Sequence, residues 1–222
     1  MTHSEFKVFV SRELGQLIKE EGATLYSSFE TIRKGELYIL GLNPGGGKAM
    51  TIEKSLDRIE KEDYNEYTID WGSGAGQHPL QKNIVAIAKL FDLNVLDVCA
   101  SNLIFVRSRG QAGAGYESRD RYWPIHKHIL SIVRPSTIIA FGNGAISPYR
   151  HLEQMAKDKI YYDSIDAGHG NYKCRSFIGK IEEQRITVIG LPHLSRYSLY
   201  TDNPAKRKVL NWIKDTTAKG NC

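Results

Sequence analysis

The stretch "ELYILGLNPGGGK" (residues 36–48) decides how the chain is read. Glu36 to Leu42 is a short apolar run stopped by Asn43-Pro44-Gly45-Gly46-Gly47, the pattern of a buried strand running into a turn. The glycines and Lys48 invite a phosphate-loop reading, but their spacing defeats it. G-x-x-x-x-G-K-[ST] needs a glycine where Leu42 stands, and a magnesium-holding hydroxyl where Ala49 stands. Taken alone, the segment is a strand-ending turn in which Asn and Pro set the backbone angles.

Working outward, the same pattern recurs. Residues 4–21 carry Phe6, Phe9, Val10, Leu14, Leu17 and Ile18 at helical spacing. Residues 51–66 are highly charged and predict an exposed helix, and "GSGAG" (72–76) is a loop. Ile84, Ile87, Ala88 and Phe91 predict an amphipathic helix over 79–92 with Pro79 near its start. "VLDVCASNLIFVRS" (95–108) contains a strand and ends in the glycine-rich "GQAGAG". A helix over 118–133 precedes a third buried strand, "TIIAFGNG" (137–144). A more polar hairpin region covers 159–185, and "ITVIGLPHLS" (186–195) is the last central strand. The final helix starts at Pro204, with Asp202 or Asn203 as its cap. Strands alternating with helices predict a single domain over 1–222: α/β, three-layer α/β/α, with a central, largely parallel four-stranded sheet.

The unusual residues fall at the strand exits: Asn43-Pro44-Gly45, Asn102 to Arg109, Gly142-Asn143-Gly144 and His193 to Ser198. Ligands of open α/β sheets bind outside the carboxyl ends of the strands, so four such exits predict one shared pocket.

Composition sets the outer limits. A 41% hydrophobic and 25% charged content is that of an ordinary soluble globular protein. No apolar run approaches ~18 residues, so no membrane span is expected, and the charged N-terminus does not read as a secretion signal. The cytoplasm is the expected compartment. Cys99, Cys174 and Cys222 are far apart and form no CxxC, so neither a metal nor an iron–sulfur cofactor is expected. A net charge of +5 permits a polyanionic partner without requiring one.

Together the four exits resemble the uracil-DNA glycosylase superfamily, closest to its branches with Gly-x-Asn-Pro-Gly. "GLNPGGG" resembles the first motif, "SNLIFVRSRG" the second-strand segment whose asparagine reads the base, and "IIAFGNGA" the third strand and its exit. "GLPHLSRYS" resembles the last motif, usually His-Pro-Ser-Pro with a wedge residue beyond; here Leu194 and Arg196 replace the two prolines. The resemblance covers about residues 36–200. It implies a fold without cofactor, acting as a monomer on single- or double-stranded DNA that contains uracil. Gly41, Leu42, Pro44 and Gly45 would line the base site, and Ser195, Arg196 and Tyr197 would meet DNA.

The residues also have a chemical reading. Cleaving an N-glycosidic bond in a flipped nucleotide leaves an oxocarbenium-like sugar and an anionic base. An N–H of His193 aimed at uracil O2 meets that charge as it develops. Asn43 orients a water without deprotonating it, since an amide has no base strength. The Asn102 amide offers one donor and one acceptor, matching O4 and N3–H of uracil. Tyr197 takes the wedge position. Trp71 or Tyr67 is the candidate to stack on the base, and Arg107, Arg109, Arg119 and Arg121 are candidates for phosphates. Each has an ordinary alternative: a turn-capping histidine, backbone-bonded asparagines, packed aromatics and solvated arginines. Two other functions stay open, a nucleobase- or nucleic-acid-binding module with weakened catalysis and an unrelated nucleotide hydrolase.

Overall fold

The computed structural model describes residues 1–45, 50–108, 115–201 and 203–220. Strands β1 (Leu37–Gly41), β2 (Cys99–Asn102), β3 (Thr137–Phe141), β4 (Lys157–Asp166), β5 (Lys173–Ile181) and β6 (Gln184–Leu191) form one sheet in the order β2–β1–β3–β6–β5–β4. The first four in that order run parallel, and β5 and β4 are added antiparallel. The fold is thus mixed α/β with a mostly parallel sheet of six strands, not four. The polar region 159–185 is no appendage. Its β5 buries Cys174, Phe177 and Ile178 and completes the hydrogen bonding of β6, while β4 reads as polar because alternate residues face solvent.

Helices α1 (His3–Leu14), α2 (Ile52–Arg58), α3 (Pro79–Leu90), α4 (Trp123–Val133), α5 (Pro148–Met155) and α6 (Pro204–Gly220) pack on this sheet. Two apolar clusters take alternate strand residues. The first joins Tyr38, Leu40, Ile138 and Val188 to α1, α2, α4 and α5; the second joins Ile39, Ala100, Ile139 and Ile189 to α3 and α6. The predicted helix over 4–21 stops at Leu14 because Gly15 turns to φ +56°, and a 3-10 turn follows. The charged segment 51–66 is helical only over α2, whose Ile52 and Leu56 are buried rather than exposed. At α6 the cap is Asn203, whose Oδ1 accepts from the Ala205 N–H at 2.8 Å.

Outside β2 the segment 22–27 closes the sheet edge. Ala23 N–H donates to Phe105 O at 3.0 Å and Tyr26 N–H to Ala100 O at 2.8 Å, with isolated bridges at Gly22–Val106 and Leu25–Ser101.

Two buried histidines on the α-helical side of the first cluster are held neutral. His126 Nε2 faces the Leu103 carbonyl at 3.2 Å, which can only accept, so Nε2 carries the proton and Nδ1 accepts from Tyr38 Oη at 3.3 Å. His151 Nδ1 accepts from Arg119 Nε at 3.0 Å. Burial pushes both down to about 4, helped by His151 for the first and by Arg119 for the second. The unfolded chain binds these protons from about pH 6.5 downward, the folded chain only near 4, so protons favour unfolding throughout that window. Stability to urea is therefore expected to fall as pH drops from 6.5 to 4, and His126→Gln with His151→Gln to flatten that fall, read from denaturation midpoints at each pH.

Candidate functional site

The strand registers build the site before any loop is considered. Gly41 pairs with Asn102, and Phe141 pairs with Leu191. One step past the Leu40–Ala140 pair, Gly41 and Phe141 stand side by side. These four end residues lie two positions beyond Ile39, Ala100, Ile139 and Ile189, so the period of two places them on the face of the second cluster. They form a row across the strand ends: Asn102, Gly41, Phe141, Leu191.

Gly41 is the gap in that row. A Cβ there would lie 2.1 Å from Asn102 Oδ1 and 2.5 Å from Phe141 Cζ. The amide and the ring edge therefore meet above the glycine from opposite sides. Asn102 is 2% exposed, and its Nδ2 has no hydrogen-bond partner among the described residues. The parallel ladder continues past the strands, with Leu103 N–H donating to Gly41 O at 2.8 Å and Ile104 N–H to Leu42 O at 2.9 Å. This carries the Asn43 turn along the Ser108 segment. Asn43 Nδ2 lies within donating distance of Pro44 O (2.8 Å), Ser108 Oγ (3.0 Å) and Ser108 O (3.3 Å), so its Oδ1 is the end left for a water or ligand. Leu42 and Pro44 are buried beneath the turn, and Gly45 is exposed.

His193 follows β6 by two residues, and its ring meets the Phe141 ring edge-on at 5.7 Å. The Ser195 backbone N–H donates to His193 Nδ1 at 3.3 Å, and Ser195 Oγ lies 2.8 Å from the same nitrogen. A backbone N–H can only donate, so Nδ1 is the acceptor and Nε2 carries the proton of the neutral ring. Desolvation and the Arg196 charge both hold the imidazole below its usual pKa. Ser195 thus orients His193, and Arg196 is exposed. The loop itself is mounted on α3. Buried Asn83 donates from Nδ2 to Leu194 O (2.8 Å) and Tyr197 O (2.7 Å), and accepts from Leu199 N–H at 2.6 Å.

Three expectations need correction. Tyr197 is not available as a wedge: it is 1% exposed, its ring lies under Lys206 Nζ at 3.8 Å, and its hydroxyl sits 3.9 Å from Cys174 Sγ. The exposed aromatic of this loop is Tyr200, 45% accessible, with Lys82 Nζ 5.8 Å from its ring centre. Arg107 is not a free phosphate contact, because its side chain is only 8% exposed and pairs with Glu21 at 3.3 Å. Trp71 is not the ring at Asn102. It belongs to a line of rings, Tyr26–Tyr67 (5.7 Å), Tyr67–Trp71 (6.3 Å) and Trp71–His78 (5.3 Å), and its Nε1 donates to Glu66 at 2.8 Å. In that line Tyr26 is the ring next to Asn102, outside hydrogen-bonding geometry with its Nδ2; burial and Glu66 push the phenol's pKa up. Arg119 is occupied by His151 and the Tyr116 ring, and Arg121 is exposed. Asn143 of the third exit is structural, donating to Lys173 O (2.7 Å) and Gly190 O (2.9 Å). Arg109 and Lys48 lie outside the described residues.

Phe141 and Tyr26 are the site residues not foreseen. Counting by twos from Ile139 places Phe141; Tyr26 sits in a bridge segment with no periodic signal. A separate cleft of about 340 Å³, lined by Ser28, Glu30, Thr31, Arg33, Glu62, Leu96 and Asp97, opens at the other end of β2. Its acidic lining and distance from the strand exits exclude it from this site.

No protein-family model and no curated protein matches the chain. Among the described residues, no group of three His, Cys, Asp or Glu side chains is placed to hold a metal ion.

Gly41→Ala is expected to force the Asn102 amide and Phe141 apart, at a cost of about 1–3 kcal/mol for an overpacked core position. Equilibrium urea unfolding measures that cost; a variant as stable as the parent would show that the two side chains yield freely.

Proposed function

We propose that the protein is a DNA glycosylase that binds uracil-containing DNA and hydrolyses the N-glycosidic bond of uracil or a related deaminated base. One observation carries the reading: a buried asparagine amide with an unpartnered Nδ2 stands at the strand exits, in one row with the ring that supports His193. A buried N–H without a partner costs about 1–3 kcal/mol, which a ligand acceptor would return. In this reading Nδ2 of Asn102 donates to O4 of a flipped base, and Oδ1 above Gly41 accepts from N3–H. Asn43 Oδ1 accepts from a water that attacks C1′. The bond from C1′ to the base breaks, its electron pair leaves with the base, and the water's oxygen takes its place on the sugar, its surplus proton passing to solvent and on to the anionic base because the Asn43 amide cannot accept it. The His193 Nε2–H donates to O2 as the base becomes anionic. The finer architecture fits as well: the two clusters are read as two helical layers around the sheet, in one domain over 1–222. The cytoplasm is the proposed compartment.

A second reading, a base- or nucleic-acid-binding module with weakened catalysis, is favoured by one observation. Asn43 directs its amide nitrogen at Ser108 and Pro44, a loop-holding role that needs no catalysis.

Incubation with a uracil-containing oligonucleotide, then alkali to cut abasic sites, separates the two readings. His193→Ala is expected to slow single-turnover excision by on the order of 10²–10³. Asn102→Asp turns the donor toward O4 into an acceptor, so it should lose most uracil excision and gain at best slow cytosine excision. Wild-type rates in the folded variants would remove both residues from the mechanism. No cleavage by the parent, with retained salt-sensitive DNA binding, would leave the binding module. Binding should weaken as salt rises, and Arg196→Ala should flatten the slope.

A further inference from the structure

The end of the sheet that carries the strand exits holds a second surface. β5 runs antiparallel to β6 with Arg175 across from Gly190, so the turn between β4 and β5 stands beside the exit of β6 and the His193 loop. Two exposed side chains of this turn form one unit. The His169 and Tyr172 rings lie 5.8 Å apart with 22° between their planes, a stacked pair, and Tyr172 is 59% exposed. The core does not need them, since it ends at buried Ala167 and Cys174.

The pair is held from beneath. Lys206 of α6 donates from Nζ to Ala167 O (2.9 Å) and Gly168 O (3.2 Å) while lying over the Tyr197 ring, and the His169 ring is 6.1 Å from that same ring. Tyr197 N–H donates to His193 O at 3.1 Å, so the turn and the His193 loop share one foundation. Ala167 N–H donates to Tyr172 O at 2.9 Å and Tyr172 N–H to His169 O at 3.2 Å, which closes the turn.

The charge around the pair selects its occupant. Lys173 follows Tyr172 directly, and Arg175 shares its face of β5, opposite to buried Cys174. Both are exposed, and neither forms an ion pair among the described residues. The turn's carboxylate, Asp166, is used internally, accepting from the Gly168 N–H at 2.6 Å. An aromatic platform beside unpaired cations suits an unpaired stretch of nucleic acid, because every base has a face to stack and its phosphates meet the cations. A strand crossing the tip of this turn meets the rings and the cations in succession.

We propose that the β4–β5 turn binds an unpaired stretch of the DNA strand that enters the strand exits, with one base stacked on Tyr172 and His169 and phosphates at Lys173 and Arg175. This rests on the proposed reading of the exits as a DNA site, but not on cleavage. Fluorescence anisotropy with a uracil-free single-stranded oligonucleotide at low salt tests it apart from excision. Tyr172→Ala should weaken binding by on the order of tenfold, and Tyr172→Phe should bind as the parent does. The loss should fall on the single strand, since the bases of a duplex of the same sequence stay in their own stack. Lys173→Gln with Arg175→Gln should make the log–log salt slope shallower by about 1.4, at about 0.7 per phosphate of a single strand. Single-strand binding that needs Tyr172, in a parent that leaves uracil uncut, would uphold this inference and overturn the glycosylase reading. Uracil excision by a parent whose single-strand affinity survives Tyr172→Ala would do the reverse. An equal loss on single strand and duplex, or no DNA binding by the parent at low salt, overturns the proposal.

Discussion

The site depends on a missing side chain. Parallel pairing sets Gly41 between Asn102 and Phe141, and only a glycine leaves the space in which a polar amide and an aromatic edge come together. Neither partner is free to move away, because β1 is flanked on both sides by ladder hydrogen bonds and the ladder runs on through Leu103 and Ile104. The donor, the acceptor and the apolar wall are therefore fixed by backbone register rather than by loop conformation. His126 reinforces the arrangement from the opposite face by donating to the Leu103 carbonyl, one residue after Asn102.

The second half of the site is a loop, and its precision comes from elsewhere. Functional loops are useful where a rigid element holds them. Here one buried amide does this, since Asn83 satisfies two carbonyls and one N–H of the 194–199 segment from α3. Leu194, Tyr197 and Leu199 then sink into the second cluster, leaving His193, Arg196 and Tyr200 outside. The same alternation explains why Ser195 addresses the imidazole: a turn that buries its neighbours aims its N–H back at Nδ1.

Most of the sheet was legible because strands buried on both faces read as continuous apolar runs, as Leu37–Gly41 and Thr137–Phe141 do. The antiparallel pair was less so, since β4 has one open face and carries charges that belong as easily to a loop. At the site, Asn43, Asn102 and His193 were visible as polar residues at strand exits. What was hidden depends on distant segments. Arg107 looks free until Glu21, far earlier in the chain, is folded against it. Tyr197 looks like a surface aromatic until α6 brings Lys206 over its ring. Tyr26 lies on a segment ordered by edge pairing to β2 and by a bridge to Asn65 and Glu66, contacts that leave no periodic trace in sequence.

Among the described residues, Asn43, Asn102 and His193 bring no charge to the strand exits, and Arg196 stands exposed beside them. The chain is basic, yet several of the described cations nearby are engaged: Arg107 with Glu21, Arg58 with Glu66, and Lys206 with the carbonyls of Ala167 and Gly168. Of the described groups, the candidate reacting ones are two amides and an imidazole held below its usual pKa by desolvation and by Arg196. For the proposed reaction this matters in a specific way. The flipped base enters neutral and leaves as an anion, so only a contact that strengthens during the reaction lowers the barrier. A fixed cation would favour the departing anion so strongly that it would also hold the product. A neutral N–H, pre-aimed by Ser195 and backed by Phe141, binds the ground-state carbonyl weakly and the developing oxyanion more strongly, without reorganising.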